Sequence, residues 1–458
     1  MRDLIVVLIV LVAVPLTLRS PSVGVLLWSW LGYMNPHRLT WGFAYDMPFA
    51  QVAALATLGG LVFTKEPRRL PWTPITMVLV TFILWMGVTT LIAIDPGAAL
   101  TQYVKVLKIQ FMTIITMMVM MSRERLHALV WVIVVSIGFY GVKGGIFTII
   151  TGGEHHVLGP NRSFMSGNTE IGLAMVIVVP LMRYLHLSTE NKWVRRGMLF
   201  AIVMTVVAIL GTYSRGALLG LVGMGAVLWW KGRHRLALAL VMAVTIPLML
   251  AMLPEKWGGR METIQTYEQD TSAMQRVLAW QAGFKIAAAT FVGGGFGVFG
   301  PEGYQRYAPD IIDEGMALGI PEHLVYQDAH SIYFDVLGEH GFVGLFLFLL
   351  LGVFTWRTAS RVMAATRRRQ DLKWAYDLMS MTQASLAGYA VAGAFLSLAY
   401  FDLFYHVVAI VVVAGELVRR ALEKGEENAK WTFTWKSVLL PSAKQAVQGN
   451  RPVQKGTM

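Results

Sequence analysis

The sequence predicts an all-α polytopic membrane protein of about twelve transmembrane helices, with one large extramembrane loop that itself contains helices. Three observations lead there. The 458-residue chain is 55% hydrophobic and only 14% charged, with a mean hydropathy of +0.55, far from the usage of a soluble domain. Apolar runs recur along nearly the whole length, and a run of roughly 20 residues crosses a hydrocarbon core of about 30 Å. The runs do not alternate polar with apolar, as the ten-residue strands of a membrane barrel would.

Taken in order, the candidate spans are 4–34, 47–64, 73–93, 103–121, 126–150, 168–187, 197–213, 215–230, 236–253, 330–356, 379–400 and 403–418. The first is interrupted at Arg19-Ser20-Pro21, because proline breaks a helix interior. Its second half is short for a crossing, so we read one broken or partly re-entrant span. No small-residue cleavage site follows Leu18, so this segment reads as a retained helix rather than a leader. Basic clusters set the orientation: Lys65/Arg68/Arg69, Arg123/Arg125, Lys192/Arg195/Arg196, Lys231/Arg233/Arg235, the group from Arg357 to Lys373, and the tail from Arg419. With Arg2 and Arg183 they put 27 of 39 Lys and Arg on one side, the cytoplasmic side by the positive-inside rule. Both termini are then expected in the cytoplasm. The same topology accounts for the +12 charge without nucleic acid.

Four regions follow: N-terminal spans over 1–253, an outward loop over 254–329, C-terminal spans over 330–420, and a basic tail over 421–458. The loop carries ten acids against five bases, the opposite sign to the cytoplasmic segments. Within it Thr271-Ser272 caps a helix over 273–289, whose Val277, Trp280, Phe284 and Ala288 share a stripe. The run 293–300 is glycine-rich and reads as a flexible turn. Its G-x-G-x-x-G spacing lacks the preceding strand and following helix of a nucleotide site. No cysteine is present, which excludes disulfides and thiolate chemistry. His155-His156 is adjacent rather than at ligand spacing and no carboxylates cluster, so no metal or other cofactor is implied.

The residues with chemistry to offer lie toward the outer side. His330 stands where the polar loop enters an apolar run, so its imidazole is open to water-soluble and lipid-anchored reactants alike; the plain alternative is an interfacial histidine bonded to the loop. The apolar part 342–354 is too short to cross alone, so the turns holding His330, Asp335, Glu339 and His340 are expected in the same helix. Charges at that depth should face protein or a wet cavity. Arg215, in Ser214-Arg215-Gly216 at an outer turn, can snorkel to lipid phosphate or grip a diphosphate with its fork of donors. Arg276 shares a face with Trp280 and suits either a stacked pair or a phosphate site near a helix start. Lys143 and Arg162 are weaker candidates for secondary substrate contacts.

Together these residues resemble the O-antigen ligase family of bacterial inner-membrane glycosyltransferases, part of a superfamily that includes O-antigen polymerases and protein O-oligosaccharyltransferases. The family pattern of His, a small polar residue, nine residues, Gly, two residues and Gly is met by His330-Ser331, then Gly341 and Gly344. Ser-Arg-Gly at 214–216 and the Arg276/Trp280 pair look like its two arginine motifs. The resemblance implies a GT-C-type fold and metal-independent transfer of a glycan from undecaprenyl diphosphate to a lipid A-core acceptor at the periplasmic face. By that carry-over His330 is catalytic, and Arg215 and Arg276 bind the substrate diphosphate. A polymerase that uses paired arginine loops would show Gly eleven residues after each arginine, where this chain has Ala226 and Ala287. A lipid-linked glycan transporter would also fit twelve spans, but His330, Arg215 and Arg276 have no matching set on the inner side.

Overall fold

A computed structural model describes residues 1–64, 66, 68–232, 271–424, 433–435 and 438. Among these every regular element is helical. The candidate span at 236–253, the loop residues 254–270 and nearly all of the basic tail lie outside the described residues.

The N-terminal part comprises α1 (Arg2–Arg19), α2 (Pro21–Met34), two short 3₁₀ turns at Pro36–Leu39 and Phe43–Asp46, α3 (Phe49–Phe63), α4 (Pro74–Leu91), α5 (Pro96–Val119), α6 (Arg123–Ile150), α7 (Asn168–Ser188), α8 (Lys192–Gly211) and α9 (Arg215–Lys231). Starts are written locally. Thr73, Asp95, Ser122, Asn191 and Ser214 each accept a hydrogen bond from a first-turn amide, and Pro74 and Pro96 occupy positions where no amide is needed. Five helices among the described residues are long and apolar enough to cross a membrane: α4, α6, α7, α8 and the helix Ile332–Thr366. α7 is the central one, apolar and buried around its whole girth, as expected of a helix surrounded by other helices.

The expected single broken first span is instead a helical hairpin. α1 and α2 lie antiparallel about the break at Ser20-Pro21, with Val6, Val10, Leu27 and Leu31 in one cluster. Arg2 consequently reaches the Leu39 carbonyl, and Asp3 accepts the amide of Ala44. Asp46 of the same turn pairs with Arg162, so Arg2 stands at the end of the bundle that carries the 151–167 connection. The opposite end holds the pair Arg125–Glu66. The grouping of Arg2 with the Lys65 and Arg123 clusters therefore fails, because proline at position 21 reverses the chain rather than bending it.

Beyond the undescribed stretch, α10 (Thr271–Thr290), α11 (Pro301–Tyr307), α12 (Pro309–Ala317) and α13 (Glu322–Val325) gather around a second apolar cluster of Leu278, Ile286, Phe299, Tyr304 and Ile311. The chain then enters α14 (Ile332–Thr366), α15 (Lys373–Gly393) and α16 (Asp402–Lys424).

α14 is two helices joined by a break. Gly341 has φ 66° and ψ −166°, a conformation open essentially to glycine alone. The break frees three successive carbonyls, and each finds a donor elsewhere: the amide of Gly294 bonds Gly338 O at 2.9 Å, that of Gly295 bonds Glu339 O at 2.8 Å, and Trp85 Nε1 bonds His340 O at 2.9 Å. In return the amide of Phe342 bonds Phe291 O. The glycine run at 293–300, expected as a flexible turn, is thus a strut bonded to α14 and, through Ile94, to the end of α4. His330 is not in the helix as expected but precedes it. The run past the break continues to Thr366, about 25 residues or roughly 37 Å of helix, and needs no help from the first turns.

A Cβ at Gly341 would overlap the Phe291 carbonyl oxygen, whereas one at Gly352 in the long arm meets nothing within 4 Å. Gly341→Ala is therefore expected to destabilise the purified protein by at least about 1–3 kcal/mol. Gly352→Ala should leave it unchanged or more stable by up to about 1 kcal/mol. Thermal unfolding of the two variants side by side in detergent checks this.

Candidate active site

Four short stretches converge at one end of the bundle. The amide of Val157 bonds Gly211 O, and Asn168 Nδ2 bonds Thr212 O at 2.8 Å, which holds the start of α7 against the α8–α9 turn. Ser214 caps α9 and makes Arg215 its first residue. A Cβ on Gly216 would stand 3.3 Å from the Phe395 Cβ, so α9 begins against the connection that follows α15. The Phe395 ring lies 6.2 Å from Trp280 on α10, and Trp280 in turn abuts the residue before His330. The short Ser-Arg-Gly stretch is thus linked through Phe395 to the Arg276/Trp280 turn, which touches the histidine loop, although more than a hundred residues separate the first from the last.

The loop carrying His330 is clamped from several sides. Tyr304 donates to Gln327 O at 3.0 Å. Trp280 Nε1 donates to Ala329 O at 2.8 Å, while Asp335 Oδ1 accepts the Ala329 amide at 3.1 Å and Ser397 Oγ at 3.2 Å. Trp280 is held flat on Phe334, with ring centroids 5.3 Å apart and planes 7° from parallel. It stacks there rather than on Arg276, the partner its sequence spacing suggests. Held in this way, His330 takes φ 46°, the left-handed region that costs a non-glycine residue on the order of 1–3 kcal/mol.

Electrostatics mark the same spot. Burial and, after it, the guanidinium of Arg276 push the His330 imidazole below its ordinary range, while Asp328 and Glu170 pull the other way. The imidazole is therefore neutral at neutral pH, able to accept a proton, with a cation beside it. α7, α9 and α14 all direct their N-termini at this end, and the positive ends of helix dipoles favour an anion.

Residues 199–349 match the family described as O-Antigen ligase. That segment, about a third of the chain, is similar to the O-antigen ligase family. Arg215, Arg276, His330, Gly341 and Gly344 all fall inside that segment, and the family points to a glycosyltransferase-like enzyme. Residues 1–190 match a further family, of unknown function (DUF5935). Comparison with curated proteins returns no match.

Within this O-antigen ligase segment the motif glycines have a mechanical role: Gly341 makes the break, and a Cβ on Gly344 would collide with the side chain of His340. Of the remaining sequence candidates, Arg162 lies exposed against Asp46 and over the Tyr45 ring, and Lys143 is exposed on α6; of the four basic candidates Arg276 alone is among the groups acting on His330, and Arg215, Lys143 and Arg162 are not. Sequence reasoning missed Glu170 and the clamp. Glu170 opens α7, where an acid is expected on dipole grounds alone, so nothing in its position marks it.

Trp280→Phe keeps the stack on Phe334 and deletes the indole donor, leaving the buried carbonyl of Ala329 unpaired. It should cost about 1–3 kcal/mol, read as lowered thermal stability with unchanged helix content by circular dichroism.

Proposed function

We propose that the protein is an O-antigen ligase: an inverting, metal-independent glycosyltransferase of the bacterial inner membrane that works at the periplasmic face. It moves a glycan from undecaprenyl diphosphate to a sugar hydroxyl of lipid A-core and so completes lipopolysaccharide. The observation that carries this reading is a neutral histidine fixed in a clamped loop beside Arg276, with the Arg215 turn joined to it through Phe395 and Trp280.

His330 takes the proton from the acceptor hydroxyl as that oxygen attacks the anomeric carbon. The bond from the anomeric carbon to the diphosphate oxygen breaks, and its electron pair leaves with the lipid diphosphate. Arg215 and Arg276 stabilise the charge that develops there, their forked donors suited to paired phosphate oxygens. The imidazolium then loses its proton to water. A single displacement inverts the anomeric centre.

In a purified reaction with undecaprenyl diphosphate glycan and lipid A-core supplied separately, His330→Ala should lower transfer by about 10²–10⁴-fold with the protein still folded. Turnover equal to wild type would refute the assignment of the base. Arg215→Lys keeps the charge and loses the fork, and should forfeit most activity; full activity would leave Arg215 as a lipid contact.

Activity should fall on acidification through a pKa below the ordinary imidazole value of about 6.5, since the depressed group stays neutral to lower pH. Arg276→Gln removes one of the groups that depress it. The acid limb of the rate profile in that variant should move to higher pH, which is read separately from the fall in maximal rate.

A further inference from the structure

Directly beside the His330 loop lies an open cleft of about 540 Å³, within the size range that houses small ligands. One wall is the start of α5, with Gln102 and Lys105. The other is the short arm of α14, with Asp335 and Glu339, and the floor is completed by Asp328, Ser397 and Tyr400. Asp335 belongs both to this wall and to the clamp on Ala329, so the cleft shares a wall with the segment that holds His330.

We propose that this cleft is the acceptor-saccharide subsite and that it receives sugar units free of phosphate. The inference rests on the ligase reading above and specifies which substrate occupies this flank of the site.

Charge is the first argument. Three carboxyls face one lysine in the cleft, and neither Arg215 nor Arg276 lines it. A lipid diphosphate meets a single cation here, whereas sugar hydroxyls can exchange hydrogen bonds with Gln102, Asp328, Ser397 and Tyr400, and a bond to the exposed Asp328 carboxylate is of the stronger, charge-assisted kind. The first turn of α5 also borders the cleft and would favour an anion, but Asp95 already takes the amide of Ala98 there. Direction is the second argument. On α14, Phe334 and Gly338 pack toward α10, with Phe334 on Trp280 and Gly338 against Phe299 and Gly283. Asp335 and Glu339 lie one residue on, about 100° round the helix. The flank packed on Trp280 and the flank lining the cleft are therefore different faces of α14, which leaves donor and acceptor separate sides from which to approach the His330 loop.

The test measures binding and transfer with the full chain in lipid nanodiscs. The binding probes are a lipid-free core oligosaccharide stripped of phosphate, the same oligosaccharide with its phosphates, and an undecaprenyl diphosphate glycan. Asp328→Asn removes an exposed carboxylate, and Gln102→Trp fills the cleft from the opposite wall. The phosphate-free oligosaccharide should bind wild type more tightly than its phosphorylated form. Gln102→Trp should weaken it roughly tenfold or more and Asp328→Asn several-fold, with donor affinity unchanged within about twofold. Oligosaccharide affinity unaltered in both variants, or a loss confined to the donor, overturns the subsite. So does tighter binding of the phosphorylated form. If wild type transfers glycan while the variants bind oligosaccharide normally, the subsite falls and the ligase reading stands. If wild type binds oligosaccharide in a cleft-dependent way yet transfers nothing, the ligase reading falls and the saccharide site stands.

Discussion

The hydrogen bonds released by the break at Gly341 tie the candidate site to the rest of the molecule. A continuous helix would keep the carbonyls of Gly338, Glu339 and His340 for itself. With the helix interrupted they become acceptors for the glycine strut and for Trp85 of α4, and in a dry interior such groups cannot be left unmet. One residue in a glycine-only conformation thereby binds α4, α10, the strut and the start of α14 into a single block. The Cβ clashes at Gly293, Gly338 and Gly341 reflect how closely those backbones approach.

On this block the position of His330, the proposed base, is fixed by contacts to its neighbours in the chain. Carbonyl, amide and preceding turn of the 327–329 segment are each pinned, and the strained backbone of His330 follows from them. The arrangement separates two tasks. Apolar and backbone contacts set the position of the imidazole, while burial first, and after it Arg276, Asp328 and Glu170 from three different elements, bias its protonation.

Much of this was legible in the sequence, for reasons that differ by feature. The helix over 273–289 was readable because its Thr271-Ser272 start is a local signal, and it is found as α10 with its ends shifted by one or two residues. The need of Asp335 and Glu339 for a wet cavity followed from their depth, and both line the cleft. The hairpin at Ser20-Pro21 was not legible, since a proline signals a break but not the angle beyond it; that angle is set by how α1 and α2 pack on α3. Helical spacing offered Arg276 as one stacking partner for Trp280 and could not reveal Phe334 arriving from another element. Ser397 and Tyr400 carried no signal at all. They lie just past the end of α15, in a stretch hydrophobic enough to pass for a continuing span, and only the helix ending at Gly393 turns them toward the site.

The two arms of α14 also separate chemistry from the bilayer. The long arm is more than sufficient to cross the hydrocarbon core, so differences in lipid thickness can be absorbed by its tilt. The short arm is fastened to α10 and the strut instead, and it carries Asp335 and Glu339. The break thus divides α14 into an arm long enough for the bilayer and an arm fixed to the segments around the His330 loop. Under the proposed function, the spacing between His330, Arg276 and the cleft is then set by protein contacts rather than by the lipid.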